Sequence, residues 1–342
     1  MKSRVWLMLL VGVLFTACRK ELCYTHDEHS LAVRLDVKAS WDTAWERDYG
    51  CAWADSWNSG WGCTYDELCP AIPEGVRLTA YPSEGIIREY NLPPEGKRVV
   101  LDGEGIYSLL LYNNDTEYIV YDGLTSSTRA TATTRTVSRS SFRALHEGER
   151  TVNPPDMLYG KYVEEYVAVS HEGAELLDAE LNPLVYTYLV RYEFSAGREH
   201  VVLARGALAG MAETVYLHDG HTGSEAATIL YECELKDYGA EARVKTFGVP
   251  DYPGDHYNRG EEDARHYMVN LEVRLTNGAF KTFEVDITAQ MANQPRGGVI
   301  VVSGLEVTNE EAKYPDSDGG GGGGFDVGVE GWGDAIDIPL PL

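Results

Sequence analysis

The chain has 342 residues, with 29 Lys and Arg against 54 Asp and Glu, a formal net charge of −25 at pH 7. So acidic a surface repels nucleic-acid backbones and anionic headgroups, which excludes nucleic acid as a partner and electrostatic adsorption as a route to membranes. On a prior of roughly 150 residues per domain, the length suits two domains.

The N-terminus reads as a lipoprotein signal peptide over residues 1–17. Lys2 and Arg4 provide a short positive region, residues 6–15 an apolar stretch too short to span a bilayer, and Thr16 and Ala17 a small-residue cleavage site closed by Cys18. Phe15 stands where such sites usually carry Leu, Val or Ile. Lipidation at Cys18 makes the acyl chains the membrane partner and predicts an outer-membrane, cell-surface location. No later stretch offers ~18 consecutive apolar residues.

The first strand is expected at residues 31–37, followed by the most unusual segment of the chain. Residues 41–69 hold Trp41, Trp45, Trp53, Trp57 and Trp61, five of seven tryptophans, together with Cys51, Cys63 and Cys69. Two readings are open. The rings form a local mini-core, stapled by a disulfide such as Cys51 to Cys63, or Trp45, Trp53, Trp57 and Trp61 offer flat apolar faces to a glycan or protein ligand. With Cys23 and Cys233 the cysteines beyond the lipid site form an odd set without a CxxC pair, which argues against a zinc ribbon or thioredoxin-like site.

Strands follow at residues 76–81 and 106–112, where Asn113, Asn114 and Asp115 turn the chain into 117–121. Residues 125–143 carry four arginines and no acid, reading as an exposed connector or a protease-sensitive stretch. Asn153, Pro154 and Pro155 break the chain, so the first domain is expected to span 18–155 and the second 156–318. A strand is expected at 162–169 and a helix of one or two turns at 174–181, ended by Asn182 and Pro183.

Tyr186, Tyr188, Val190, Tyr192 and Phe194 alternate with polar neighbours, the period of a half-buried strand. Further strands are expected at 201–207, 228–233 and 243–248. Residues 267–275 and 283–287 alternate on either side of Asn277 and Gly278, the strongest hairpin signal in the sequence. After a last strand at 299–305, six glycines at 319–324 form a flexible tether, and Phe325, Val327, Val329, Ile336 and Ile338 then alternate as a strand that suits a sheet edge. Many short strands between turn signals favour an all-β fold of two antiparallel β-sandwich domains over βαβ units.

No GxSxG elbow, HExxH helix, P-loop or GxGxxG turn occurs, so no enzyme class gains motif support and no cofactor is expected. A carboxylate pair of a glycosidase would leave no sequence signature. His26 with His29, and His218 with His221 around Asp219 and Gly220, have metal-ligand spacing, but both pairs lie in expected turns and are taken as solvated. Asp316 and Asp318 lack the downstream ligands of a calcium loop, and no metal site is expected.

Several stretches carry a family resemblance. Glu21 to Tyr24, Tyr112 to Glu117 (YNNDTE), Asn153 to Tyr159 (NPPDMLY), Gly206 to Tyr216 (GALAGMAETVY) and Gly324 to Ile338 resemble landmarks of fimbrillin-like (FimA/Mfa-type) lipoproteins from gut anaerobes. The nearest subgroup is known only as a domain of unknown function. The resemblance implies transthyretin-like sandwiches, a non-enzymatic role in fimbrial assembly or adhesion, and partner subunits joined by strand addition, with Phe325 to Ile338 as the donor strand. A glycan-binding surface lipoprotein, with a host or dietary glycan or protein ligand on the tryptophan segment, is the alternative.

Overall fold

The computed structural model describes residues 33–47, 53–137, 150–254 and 265–313. Two β-sheets dominate them, and each folds over on itself to enclose a core. In the first, β3 (Arg88–Leu92), β2 (Val76–Pro82), β5 (Gly105–Asn113) and β9 (Tyr159–Ala168) form one layer. Its other layer is β10 (Glu175–Pro183), β1 (Val33–Trp41) and β4 (Arg98–Leu101). The ladders of the two layers meet at a corner where Asn182 and Pro183 pair with Gly160 and Tyr159. Between them Leu35 and Val37 of β1 face Leu78 of β2, Leu109 and Leu111 of β5 and Leu181 of β10, all buried. Period-two burial on both layers is what makes two half-apolar sheets close on one another.

The second sheet repeats the plan. β17 (Phe280–Asp286), β16 (Met268–Leu275), β12 (Val201–Ala212) and β14 (Ala226–Lys236) form one layer, with β8 (Arg150–Val152) added to β14. β15 (Gly239–Thr246), β11 (Tyr186–Ala196) and β18 (Gly298–Glu306) form the other. Tyr188, Val190 and Tyr192 of β11 pack against Leu208, Ile229, Leu271 and Val273, so the alternating tyrosine face is a core face. The all-β sandwich architecture expected from the sequence is present, with one addition. β1 runs parallel to β10, β18 to β11 and β8 to β14, in folds otherwise antiparallel.

A third, small sheet of β13 (Val215–Tyr216), β7 (Thr131–Thr134) and β6 (Ile119–Asp122) lies at the junction. Its Ala132, Ile119 and Val215 share a core with Leu110 and Tyr112 of β5 and with Leu184 and Phe247.

The Asn277–Gly278 hairpin forms as expected, Gly278 taking φ +86° and Arg274 pairing with Phe280. Two expectations need correction. Residues 174–181 are not helical: β10 pairs with β1 over seven successive positions from Leu35↔Glu175 to Trp41↔Leu181, and Ala179 and Leu181 turn into the core. Those ladder bonds and buried side chains outweigh the helix-forming bias of Glu, Leu and Ala. The break at Asn153–Pro155 is real, but it marks a crossing, because β8 before it pairs with the second sheet and β9 after it with the first. We therefore place the change of unit between Pro183 and Tyr186.

Candidate functional site

Two loops stand out from this frame. The first is the tryptophan segment, which leaves the first sheet after β1, crosses to the second, and returns to β2. Its backbone is tied down where it lands. Thr187 N–H donates to Trp45 O at 2.8 Å and Arg47 N–H to Arg296 O at 2.6 Å. Trp45 is fully buried against Leu189 of β11 and Val299 of β18, with Leu68 closing the cluster. Trp57 and Tyr65 lie on it with centroids at 5.9 and 5.1 Å, and Trp61 meets Trp57 edge-on at 4.8 Å. Edge-to-face contacts at such distances suit the ring quadrupoles.

Polar ties hold the outer part. Arg191 of β11 is buried, donating to Trp61 O at 2.7 Å and to Glu241 Oε2 at 2.8 Å, and it lies over the Tyr238 ring at 4.1 Å. Trp57 Nε1 donates to Cys63 O at 2.8 Å, and Tyr65 Oη to Glu46 Oε1 at 2.9 Å. Burial, reinforced by the Glu46 carboxylate, pushes the Tyr65 phenol well above its ordinary pKa.

The segment is thus the mini-core of the two open readings, and Trp45 has no free ring face. Trp53, Trp57 and Trp61 are half-buried and keep part of their rings in solvent. Cys63 carries a free thiol packed against the rings, and Cys51, its expected disulfide partner, lies outside the described residues. Burial raises the Cys63 thiol, which keeps it protonated and inert at neutral pH. Cys18, His26 and His29, Asp316 and Asp318, and Phe325, Val327, Val329, Ile336 and Ile338 also lie outside the described residues.

The second loop is the turn after β13. Tyr216 N–H donates to His221 O and Gly220 N–H to Tyr216 O, both at 2.9 Å, closing the turn on itself. Leu217 N–H reaches Ala130 O at 2.9 Å, and Arg296 Nη2 reaches Gly220 O at 2.6 Å, so both units grip it. Gly220 has φ +72°, where a side chain would be strained, and an added Cβ would meet Leu184 Cδ2 at 3.0 Å.

Closure brings His218, Asp219 and His221 together. His221 Nδ1 lies 2.6 Å from Asp219 Oδ1, and His218 Nε2 lies 3.2 Å from Asp219 Oδ2. Burial raises the Asp219 carboxyl, but hydrogen bonds from the His221 amide and ring, with the neighbouring imidazoles, outweigh it and leave the pKa below its ordinary value. The histidine spacing was visible in the sequence. Asp219 as the group both rings face, and Tyr216 and Tyr162 as the rings supporting them, were not, because Tyr162 comes from the other sheet.

The landmark stretches also meet in space. Asn113 of YNNDTE accepts from Tyr159 N–H at 2.8 Å and donates to Met157 O at 3.0 Å, while Asp156 of NPPDMLY accepts from Glu117 N–H at 2.7 Å. In GALAGMAETVY, Gly206 lies under the Tyr231 ring and Gly210 has φ +88° at a bulge against His266 O.

The two folded sheets, cross-tied by these loops, carry the landmark stretches on which the sequence resembles fimbrillin-like proteins. Residues 64–232 match the family described as Domain of unknown function (DUF5119). A Bacteroides ovatus protein assigned as fimbrium anchoring subunit Fim4B is 24% identical over 298 residues, covering 81% of this chain and 88% of the relative. The crystal structure of a Bacteroides ovatus protein assigned as an adhesin has TM-score 0.57 at 20% identity, covering 85% of this chain and 95% of its own, and shares the fold. A second Bacteroides ovatus structure assigned as an adhesin gives TM-score 0.44 at 13% identity, covering 82% and 89%.

Proposed function

We propose that this protein is a cell-surface fimbrial subunit of the anchoring or accessory kind, acting in fimbrial assembly or adhesion. The observation that carries the reading is the similarity to the fimbrium anchoring subunit across 81% of this chain and 88% of that relative, beyond the reach of a single shared motif. The role is structural rather than catalytic, and the partners are other fimbrial subunits.

Attachment follows from Cys18, whose acyl chains hold so acidic a protein at the outer membrane without electrostatic help. Assembly follows from strand addition, in which Phe325, Val327, Val329, Ile336 and Ile338 enter a neighbouring sheet edge and their alternation fixes register. Deleting residues 325–342 is expected to abolish co-purification with co-expressed fimbrial subunits while leaving the fold intact; unchanged association would overturn strand donation. Cys18→Ser is expected to move the protein from the membrane to the soluble fraction, and retention would refute the anchor.

A second reading rests on the half-exposed rings of Trp53, Trp57 and Trp61, which offer stacking surface to a glycan. Replacing all three with Ala in a folded protein tests it. Unchanged binding to polysaccharide arrays and to sister subunits would remove the tryptophan segment from recognition.

A further inference from the structure

We propose that the turn at residues 218–221 binds one divalent transition-metal ion of the zinc type through His218, Asp219 and His221. The three side chains each present a donor atom, and these atoms all lie within 4.8 Å of one another. Zinc holds His nitrogen at about 2.0–2.1 Å and carboxylate oxygen at about 2.0–2.2 Å, so tetrahedral ligands stand roughly 3.3 Å apart. The existing separations of 2.6 Å and 3.2 Å from the carboxylate to the two rings approach that spacing. Shifts of about an ångström, moving the carboxylate off His221 and the donors to a common spacing, admit the ion, which replaces the His221 Nδ1 hydrogen bond to Asp219.

Preorganisation supports the site. The His221 ring is stacked on Tyr216 at 3.8 Å with an interplanar angle of 15°. The His218 ring is held edge-on by Tyr162 at 5.8 Å and faces His221 at 5.7 Å. The turn beneath them is closed by its own hydrogen bonds and gripped by Ala130 and Arg296, so little chain entropy is lost when an ion binds. The carboxylate and the His221 side chain are open to solvent, at 49% and 39% exposure, which gives an ion a way in and leaves a fourth position for water.

The donor set selects the metal. Two imidazoles and one carboxylate suit zinc and its neighbours, whereas calcium and magnesium require oxygen-rich shells. His218 must ligate through Nε2, since its Nδ1 is buried without a hydrogen-bond partner. That missing outer support lowers affinity by about 10–100-fold relative to fully supported sites, which points to binding on the order of micromolar.

The ion would sit where the units meet. Tyr162 belongs to β9 of the first sheet, while Arg296, which precedes β18 of the second, holds Gly220 O. The metal therefore stiffens the junction rather than serving catalysis.

Calorimetric titration of the full chain, stripped with EDTA and dialysed, with ZnCl2 tests the proposal. The expected result is one ion per chain with a dissociation constant on the order of micromolar. His218→Gln, Asp219→Asn and His221→Gln are each expected to weaken binding by about tenfold or more. The double variant His26→Gln with His29→Gln should bind as the parent does. Asp219→Asn keeps size and shape and guards against misfolding, and matched unfolding midpoints in EDTA establish that each variant is folded. Cobalt(II) is expected to give the visible bands of tetrahedral nitrogen and oxygen ligation. Absence of saturable zinc binding, binding that survives His218→Gln with His221→Gln, or a thiolate charge-transfer band from cobalt would each overturn it.

Discussion

The tryptophan segment and the histidine turn both fasten one sheet to the other, and they do so by opposite means. The segment is held by apolar burial, with Trp45 fully enclosed and a ring of aromatics around it. The turn is held by backbone hydrogen bonds and stacked rings, with its polar groups near the surface. Buried apolar area contributes in proportion to its size, so the segment is where stability is concentrated. Surface hydrogen bonds and charge pairs contribute little, so the turn can retain a strained glycine and three groups free to do chemistry.

The largest test of this contrast is Trp45→Ala, which leaves a cavity between β11 and β18. A loss of about 3–5 kcal/mol is expected from denaturant unfolding followed by far-UV signal. Trp53→Ala, at the partly buried rim, should cost less than about half as much, because Trp53 keeps some solvent exposure in the fold while Trp45 keeps none. Equal costs at the two positions would show that the segment has no buried centre.

Next in size is the polar brace under the segment. Glu241→Ala removes the carboxylate hydrogen-bonded to the buried Arg191 guanidinium and leaves it only the more exposed Glu193 at 3.6 Å, and a loss of about 3 kcal/mol is expected. Replacing both, as Arg191→Met with Glu241→Leu, should cost less than the single change, since no uncompensated charge remains. A double variant worse than the single one would indicate that Arg191 acts chiefly through Trp61 O and Tyr238.

How much of this was legible in the sequence depends on the range of the interaction. The strands with period-two alternation and the Asn277–Gly278 hairpin were readable because side-chain direction and turn chemistry are local. β10 was misread because its helix-like composition is overruled by pairing with β1, which lies some 140 residues upstream in register from Leu35↔Glu175. Asn153–Pro155 announced a break correctly, yet only β8 pairing with β14 reveals that the break is a crossing. The five tryptophans were conspicuous, but which of them is buried is decided by Leu189 and Val299 from the second sheet. Arg191 and Glu241, 50 residues apart, leave no sequence signal as a pair. His218 and His221 were visible as a spacing, while the turn closure that directs both at Asp219 requires Gly220, Ala130 and Arg296.

Gly220→Ala probes the closure with a smaller expected effect. The residue sits at φ +72° and its new methyl would press on Leu184, so a loss of about 1–2 kcal/mol is expected, with Leu184 giving way by a few tenths of an ångström. Ala at Gly278 separates the two causes, because Gly278 also has positive φ but nothing lies within 4 Å of an added Cβ. Gly278→Ala should therefore cost only the backbone strain, about 1 kcal/mol. Equal losses at the two glycines would mean that Leu184 imposes no constraint on the turn.

The smallest effect is expected at the carboxylate itself. Asp219→Asn keeps the side chain's size and an oxygen that can accept from the His221 amide, which now donates to Asp219 Oδ1 at 3.1 Å. It removes a charge that is about half exposed, so in EDTA the stability change should stay below about 1 kcal/mol in either direction. A larger loss would mean that the turn, like the tryptophan segment, is held by its side chains, and the division of labour between the two fastenings would fail. A change that small beside the expected loss for Trp45→Ala would place the carboxylate outside the set of residues that hold the fold, leaving its placement between two imidazoles to be explained by what the turn binds.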